Sequence, residues 1–241
     1  MNAFDKIFTR RRFTESATGS LKADSVVVIG LGRFGTAVAS KLVELGVEVL
    51  GIDNSQELVD AWADRLTHVR VADATNPSTL EQLGISEFDA AVVAIGSGIE
   101  SSVLATAALV DLGVKNLWAK AITAQHGRIL QRVGATHVVY PEREMGERVA
   151  HVVTGDVIDY FEFDEHFAMA TVSTPRELMD KSLGDSRIRD RFKVTVVYVK
   201  PAGGQFTYAT ADTVVGRGDL LIVAGTNNDL ERFADYASAT I

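Results

Sequence analysis

Three glycines and one acid near the start of the chain have the types and spacing of a phosphate-binding loop. Gly30, Gly32 and Gly35 follow the apolar run Val26 to Ile29, and Asp53 closes the next apolar run. The first glycine permits a sharp turn, the second lets the backbone approach a phosphate, and the third lets the following helix pack closely. Because free N–H groups at a helix start attract anions, this glycine loop (residues 30–35) predicts a bound nucleotide.

The acid Asp53 narrows the choice of nucleotide. It lies about 20 residues beyond Gly32, where a carboxylate accepts hydrogen bonds from ribose hydroxyls and repels a 2′-phosphate. NAD or an adenosine phosphate is therefore favoured over NADP. A cap for a helix from Ser55 onward is the alternative role of Asp53.

Two further strand ends extend the predicted site. Ligands of an open α/β sheet lie beyond the carboxyl ends of its strands. The segments expected to line an adenine slot are Asp73, Ala74 and Thr75 on one side, and Ile95, Gly96 and Ser97 on the other. Ordinary turn chemistry is the alternative for each segment.

Of three further charged residues, Arg33 favours a di- or triphosphate. Arg33 lies inside the glycine loop, where a guanidinium can bind phosphate oxygens bidentately. Lys120 closes a later strand and can add a second positive charge, or else extend along the surface. Glu142 follows Pro141 at a predicted helix start, and its spacing alone favours complementing the helix dipole.

The elements that must position these residues alternate regularly. From residue 24 to about 155, apolar strands alternate with amphipathic helices, which predicts an α/β fold with a doubly wound, Rossmann-like parallel sheet. From residue 159 the pattern indicates a second, smaller α+β domain, with a helix over Pro175 to Leu183 and a hairpin turn at Pro201 to Gly204. We expect a basic N-terminal extension (1–22), a nucleotide-binding domain (23–157) and a C-terminal lobe (158–241).

Composition restricts the function classes. No apolar run approaches the ~20 residues that span a bilayer, so we expect a soluble, cytoplasmic protein. The chain has no cysteine, which excludes disulfides and Cys-ligated zinc. A formal net charge of -8 argues against binding a nucleic acid polymer. Residues 1–22 mix basic and aromatic side chains, and form either a terminal tail or an arm that touches a membrane.

Six motifs together identify a family. They are Val-Ile-Gly-Leu-Gly-Arg-Phe-Gly at 28–35, Ile-Asp at 52–53, Ala-Asp-Ala-Thr at 72–75, Val-Ala-Ile-Gly at 93–96, Trp-Ala-Lys at 118–120 and Tyr-Pro-Glu-Arg-Glu-Met-Gly at 140–146. In order and spacing they resemble the regulatory subunits of Ktr- and Trk-type potassium transporters, which carry an RCK (regulator of potassium conductance) domain. The resemblance is strong over residues 25–155 and weaker over 160–237.

The resemblance implies a cytosolic ring of eight subunits, assembled from dimers and docked under a Ktr- or Trk-type membrane subunit that conducts potassium. ATP and ADP would favour different ring shapes. Arg33 would touch the γ-phosphate across the dimer interface, and Glu142 would help bind Mg²⁺ or Ca²⁺. The implied nucleotide site comprises Gly30, Gly32, Arg33, Phe34, Gly35, Asp53, Asn54, Asp73, Ala74, Thr75, Ile95, Gly96, Ser97, Lys120 and His126.

The resemblance also implies a possible second ligand, in the C-terminal lobe. Proteins of this kind often bind cyclic di-AMP in the C-terminal lobe, and Arg187 and Arg189 stand in the corresponding segment. The strand end Tyr208-Ala209-Thr210 lacks the proline of that pattern. The lobe is therefore expected either to bind cyclic di-AMP or to serve dimerisation alone.

The alternative function is catalytic. An NAD-dependent oxidoreductase with the C-terminal lobe as substrate domain would need a general acid or base near the nicotinamide. The five histidines are scattered, and no Tyr-x-x-x-Lys pair or Gly-x-Ser-x-Gly elbow occurs. His126 at a helix start is the one candidate, and a surface position suits it better. We therefore expect a sensor rather than an enzyme.

Overall fold

The computed structural model describes residues 23–154, 157–164 and 166–239. The chain divides into two compact units between Pro141 and Glu142. The sequence pattern instead placed the boundary near residue 157. The helix between residues 141 and 157 therefore belongs to the first domain by sequence pattern and to the second unit by the compactness of the structure. The predicted N-terminal extension, residues 1–22, lies outside the described residues.

The first unit is built on one parallel sheet. Its strands are β1 (Ser25–Ile29), β2 (Glu48–Asp53), β3 (His68–Val71), β4 (Ala90–Val93), β5 (Leu117–Lys120) and β6 (His137–Val139). Its helices are α1 (Arg33–Glu44), α2 (Gln56–Trp62), α3 (Pro77–Gln82), α4 (Ile99–Asp111) and α5 (Ala124–Val133), with a 3₁₀ turn at Ile85–Glu87. The strand order β3-β2-β1-β4-β5-β6, with parallel pairing throughout, confirms the predicted doubly wound fold.

Strand β1 shows why the sequence has continuous apolar runs. Val27 and Ile29 pack into one hydrophobic core, whereas Val26 and Val28 pack into another. A strand that is covered by helices on both faces has no polar side, so its pattern does not alternate. The carboxyl end of this central strand leads directly into the glycine loop.

The second unit combines helices with antiparallel strands. Its helices are α6 (Pro141–Val153), α7 (Leu183–Ser186), α8 (Ile188–Phe192) and α9 (Asn227–Ser238). Its strands are β7 (Asp159–Asp164), β8 (Phe167–Ser173), β9 (Lys181–Ser182), β10 (Thr195–Lys200), β11 (Thr207–Tyr208), β12 (Val214–Val215) and β13 (Leu220–Thr226). One sheet has the order β11-β10-β13-β8-β7, and β12 pairs with β9. This confirms the predicted α+β class, and the β10–β11 pairing confirms the hairpin turn.

The helix predicted over Pro175 to Leu183 is wrong. The segment contains a 3₁₀ turn at Arg176–Leu178 and then strand β9. Asp180 adopts a left-handed conformation (φ 61°), and its N–H donates to the carbonyl of Val215 at 2.9 Å. Pairing with a distant strand therefore replaces the local helical hydrogen bonds that the sequence pattern suggested.

Strand β7 is an edge strand that the sequence pattern did not predict. Its residues Asp-Tyr-Phe-Glu-Phe-Asp alternate only partly, and of the six only Tyr160 is buried. Phe161 and Phe163 are 57% and 58% exposed. Acidic side chains on an exposed edge weaken the apolar signal by which strands are recognised.

Helix α6 is unusually exposed for its length. None of its 13 residues is buried, and Met145, Val149 and Val153 are 54%, 49% and 77% exposed. Their spacing of four residues places them along one stripe of the helix. Over the described ranges, no helix is both long enough and apolar enough to cross a membrane.

Candidate functional site

The three glycines of the loop differ in backbone conformation and in the space around them. Gly30 has a positive φ of 96°, and its N–H donates to the carbonyl of Ile52 at 2.8 Å. A Cβ atom on Gly35 would lie 1.8 Å from the carbonyl oxygen of Gly30, so only glycine lets α1 pack there. A Cβ atom on Gly32 would meet nothing within 4 Å. The protein's own atoms therefore require Gly30 and Gly35, while Gly32 borders open space.

The start of α1 suits an anion in that space. Gly32 is the N-cap residue with an ordinary φ of -73°, and it supplies no side-chain cap. The first turn of α1 carries no acid, and Arg33 is its first residue and is exposed. Backbone N–H groups without a side-chain cap, beside an arginine, form a site that favours phosphate.

Asp53 fastens the glycine loop to β2. Its Oδ2 accepts a hydrogen bond from the N–H of Leu31 at 2.7 Å, and its Oδ1 accepts one from the N–H of Ser55 at 2.9 Å. Ser55 itself caps α2 by accepting from the N–H of Leu58. Each carboxylate oxygen has further acceptor capacity, so ribose hydroxyls can also bind. The N-cap of α2 is thus Ser55 and not Asp53, so the capping alternative for Asp53 is wrong, and the contacts that Asp53 does make are compatible with the ribose role.

Lys120 is held inside the first unit and is not a surface lysine. Its residue exposure is 7%, and its Nζ lies 5.6 Å from the centre of the Phe34 ring. A Cβ atom on Gly96 would lie 3.2 Å from the same Nζ. The structure therefore brings together Phe34 of the glycine loop, Gly96 of the fourth strand end and the charge of Lys120.

The segment after β3 forms a turn. Asp73 Oδ1 accepts hydrogen bonds from the N–H of Thr75 at 2.9 Å and from its hydroxyl at 2.7 Å. These bonds lower the pKa of Asp73. Ala74 is buried in a core, while Asp73 is exposed. Turn chemistry accounts for these contacts, and the carboxylate remains accessible to a ligand. Asn54 and Ser97, also predicted for the site, are exposed, and Ile95 is half-buried.

His126 is buried, so the expected surface position is wrong. Its exposure is 1%, and it lies on the buried face of α5 with Gly127 and Leu130. Its Nδ1 accepts from the N–H of Ile122 at 3.4 Å, and its Nε2 has no hydrogen-bond partner among the described residues. The four-residue spacing from His126 to Leu130 was the sequence signal for this burial.

Burial of His126 predicts a pH dependence of stability. Desolvation lowers the pKa of His126, so the folded state binds its proton less readily than the unfolded state. Its contribution is complete above the unfolded pKa of about 6.5 and is lost as the pH falls below that value. We expect urea unfolding between pH 8 and 5.5 to show a falling free energy. His126→Gln should flatten this slope, and an unchanged slope in that variant would contradict the assignment.

Glu142 belongs to the second unit. It is exposed in the first turn of α6. Across the described parts of the chain, no group of three or more His, Asp and Glu side chains could hold a metal ion. A cation at Glu142 therefore needs ligand oxygens from elsewhere, such as nucleotide phosphates.

The two arginines of the C-terminal lobe share a cavity. Arg187 and Arg189 line a space of about 390 Å³ between α7, α8 and β10. Arg187 adopts a left-handed conformation (φ 51°), and its Nε lies 3.0 Å from Oδ2 of Asp190. Thr195 and Thr210 also border the cavity and supply hydroxyl groups. The cavity is therefore lined by two arginines, one of them paired with the acid Asp190 of the same lining, and by hydrogen-bonding groups.

Comparison with known proteins assigns both parts of the chain to domain families. The TrkA-N domain model matches residues 26–141, and the TrkA-C domain model matches residues 167–238. The GsuK channel structure aligns with 92% of this chain and 40% of its own, with a TM-score of 0.50 and 22% identity. At that identity the likeness concerns the fold alone.

Two relatives are similar over nearly their whole length. Ktr system potassium uptake protein C of Bacillus subtilis is 37% identical over 207 residues, covering 86% of this chain and 94% of the relative. Ktr system potassium uptake protein A of the same organism is 32% identical over 216 residues, covering 89% and 97%. With its TrkA-N and TrkA-C domains, the chain belongs to the family of the Ktr system potassium uptake proteins.

Proposed function

We propose that this protein is the nucleotide-sensing regulatory subunit of a potassium transporter. The observation that carries the proposal is the open space at Gly32, at the start of α1, in a chain that belongs to the Ktr family. ATP and ADP binding there would switch a ring that controls a membrane subunit conducting potassium. The protein would act at the cytosolic side of the membrane through that partner.

ATP and ADP suit the site better than NAD. Arg33 opens α1, and the Lys120 ammonium is held beside Gly96, so two cations serve one phosphate-binding loop. Two cations match the charge of a di- or triphosphate. NAD remains the alternative occupant, since Asp53 would bind the ribose of either molecule.

The site geometry favours sensing over catalysis. The oxidoreductase alternative relied on His126 as its acid or base, and this imidazole is 1% exposed with a lowered pKa. A catalytic group must reach the proton it transfers. A sensor needs only a ligand that binds two conformations with different affinities.

Self-association is part of the proposal. The exposed apolar stripe of α6, formed by Met145, Val149 and Val153, suits contact with a second copy. Dimers built in this way would assemble into an octameric ring. Glu142, on the same helix, would help bind Mg²⁺ or Ca²⁺ between paired triphosphates, where the cation offsets their repulsion.

The C-terminal cavity is proposed to take a phosphate-bearing ligand such as cyclic di-AMP. Arg187 and Arg189 supply positive charge, and a cavity of about 390 Å³ lies between them and the hairpin. Calorimetric titration with cyclic di-AMP tests this, with Arg189→Ala as the variant. Equal binding by both proteins would show that Arg189 does not contact the ligand, and no binding by the unaltered protein would leave dimerisation as the role of the lobe.

Arg33 provides the test of the nucleotide proposal. We expect Arg33→Ala to weaken ATP binding about tenfold or more, because a charge-assisted contact with the γ-phosphate contributes about 1.5–3 kcal/mol. ADP binding should change much less. The measurement is calorimetric titration with ATP, ADP and NADH, with and without Mg²⁺ or Ca²⁺, while light scattering follows the mass.

The matched control for this test is Arg132→Ala, which removes a charge from the last turn of α5. It should leave both affinities unchanged. Equal losses for ATP and ADP in Arg33→Ala would contradict the γ-phosphate role. Preferential NADH binding by the unaltered protein, with oxidation of the coenzyme, would favour the oxidoreductase.

A further inference from the structure

Helix α6 follows the first unit almost without a linker. Strand β6 ends at Val139 and α6 begins at Pro141, so a single residue separates the sheet of the first unit from this helix. Glu142, the proposed cation ligand, lies in the first turn of α6. Any displacement that a nucleotide and its cation cause at Glu142 therefore acts directly on α6.

The middle of α6 is joined to β7 by an ion pair. Arg148 Nε donates to Asp159 Oδ1 at 2.7 Å, and Arg148 Nη2 donates to Asp159 Oδ2 at 2.7 Å. Asp159 Oδ1 also accepts from the N–H of Tyr160 at 2.9 Å, which fixes the carboxylate to its own strand. The pair lowers the pKa of Asp159 and raises the pKa of Arg148. A two-point, planar contact of this kind restricts orientation as well as distance.

The last turn of α6 is joined to β7 by an aromatic contact. The rings of His151 and Tyr160 stack with their centres 3.9 Å apart and their planes 24° from parallel. Tyr160 is 6% exposed and belongs to the core of the second unit, so it has little freedom to move. His151 lies three residues beyond Arg148, and this spacing places both side chains on one face of the helix.

These two contacts meet adjacent residues of one strand. Asp159 and Tyr160 open β7, which pairs in turn with β8 from Asp159↔Thr171 onward. Two contacts three residues apart fix the rotation of a helix about its own axis, which a single contact leaves free. None of the residues of α6 is buried, so ordinary core packing does not hold this helix in the way it holds α9.

We infer that Arg148–Asp159 and His151–Tyr160 form a clamp through which α6 passes the nucleotide state at Glu142 to the sheet of the second unit. The inference rests on the proposed nucleotide-sensing function. Arg148 and Asp159 are positioning residues in it, since they act through the helix and touch no nucleotide. The clamp explains why an exposed helix carries a bidentate ion pair to an otherwise weakly covered edge strand.

Hydrogen–deuterium exchange of the full chain tests the clamp. In the unaltered protein, ATP with Mg²⁺ or Ca²⁺ should change exchange both at the glycine loop and in peptides covering β7 and β8, relative to ADP. In Asp159→Asn, the glycine loop should still respond. The nucleotide-dependent change in the exchange of β7 and β8 should be largely lost.

Conservative variants separate transmission from simple stability. Asp159→Glu keeps the carboxylate, and His151→Phe keeps the aromatic stack, so both should retain most of the β7 response. Glu44→Gln breaks the exposed Lys41–Glu44 pair in the first unit and serves as the control ion-pair variant. It should leave the response unchanged. An equal loss in Asp159→Glu or in Glu44→Gln would mean general destabilisation and would overturn the inference.

The remaining outcomes distinguish the clamp from the function on which it rests. A full β7 response in Asp159→Asn would overturn the clamp while leaving nucleotide sensing intact. If, in the unaltered protein, the nucleotide changes hydrogen exchange at the glycine loop but not at β7, the clamp is likewise overturned and nucleotide sensing stands. If ATP and ADP change exchange nowhere, the proposed function fails, and the clamp falls with it.

Discussion

Replacing Gly32 with alanine is expected to weaken ATP and ADP binding about tenfold or more, a loss of about 1.4 kcal/mol or more, with the fold intact. The new methyl group meets no protein atom within 4 Å and would occupy the space left for a phosphate. Gly32 has an ordinary φ of -73°, so alanine is accommodated without backbone strain. Exchanging an N-cap glycine for alanine should cost less than about 1 kcal/mol of folding free energy.

Gly35→Ala is the matched variant and should show the opposite pattern. Its methyl group would lie 1.8 Å from the carbonyl oxygen of Gly30, so α1 must move away from the loop. Overpacking of this kind costs about 1–3 kcal/mol, or more where backbone must shift. Urea unfolding measures stability, and calorimetry measures binding. Unchanged binding in Gly32→Ala would place the phosphates elsewhere, and unchanged stability in Gly35→Ala would contradict the packing of the loop.

Asp53→Ala should reduce both stability and nucleotide affinity. The variant leaves the N–H groups of Leu31 and Ser55 without the carboxylate that accepts from them at 2.7 and 2.9 Å. Because hydrogen bonds to a charged group contribute about 1.5–3 kcal/mol, the free energy of unfolding should fall by about 2 kcal/mol or more. ATP, ADP and NADH should all bind more weakly, since each would present a ribose to this residue in the proposed site.

Two further variants test whether the effect of Asp53→Ala comes from loss of the carboxylate. Asn54→Ala removes an exposed neighbouring side chain and should change stability by less than about 0.5 kcal/mol. Asp53→Asn retains one acceptor oxygen and should lie between Asp53→Ala and the unaltered protein. A protein with Asp53→Ala that unfolds at the same urea concentration as the unaltered chain would show that the loop is held by other contacts.

Most of the first unit was predictable because its signals are local. The apolar run of β1, the glycines after it and the acid at the end of β2 lie close together in the chain, and each follows from the geometry of a parallel sheet covered on both faces. The second unit was harder. Short segments such as β9 obtain their hydrogen bonds from distant partners, here β12. The residues around Asp180 give no local sign of that pairing, and the sequence pattern therefore predicted a helix there.

For the site residues, too, the sequence predicted local features and missed contacts with other segments. The presence of Asp53 and Lys120 at strand ends was visible in the sequence. Their surroundings were not, because the Leu31 N–H that Asp53 accepts from and the Phe34 ring that faces Lys120 come from other parts of the chain. The burial of His126 had a sequence signal in its spacing from Leu130, which competes with the polarity of the imidazole.

By itself, the sequence determined the α/β class, the position of the glycine loop and the family to which the chain is similar, since these depend on residue types at short spacing. Only the tertiary structure decided which glycines serve packing and which one borders open space. It also decided that Asp53 fastens the loop, that His126 is buried and that α6 is joined to β7. These properties depend on how different elements of the fold pack against one another, and residue types at short spacing do not encode those contacts.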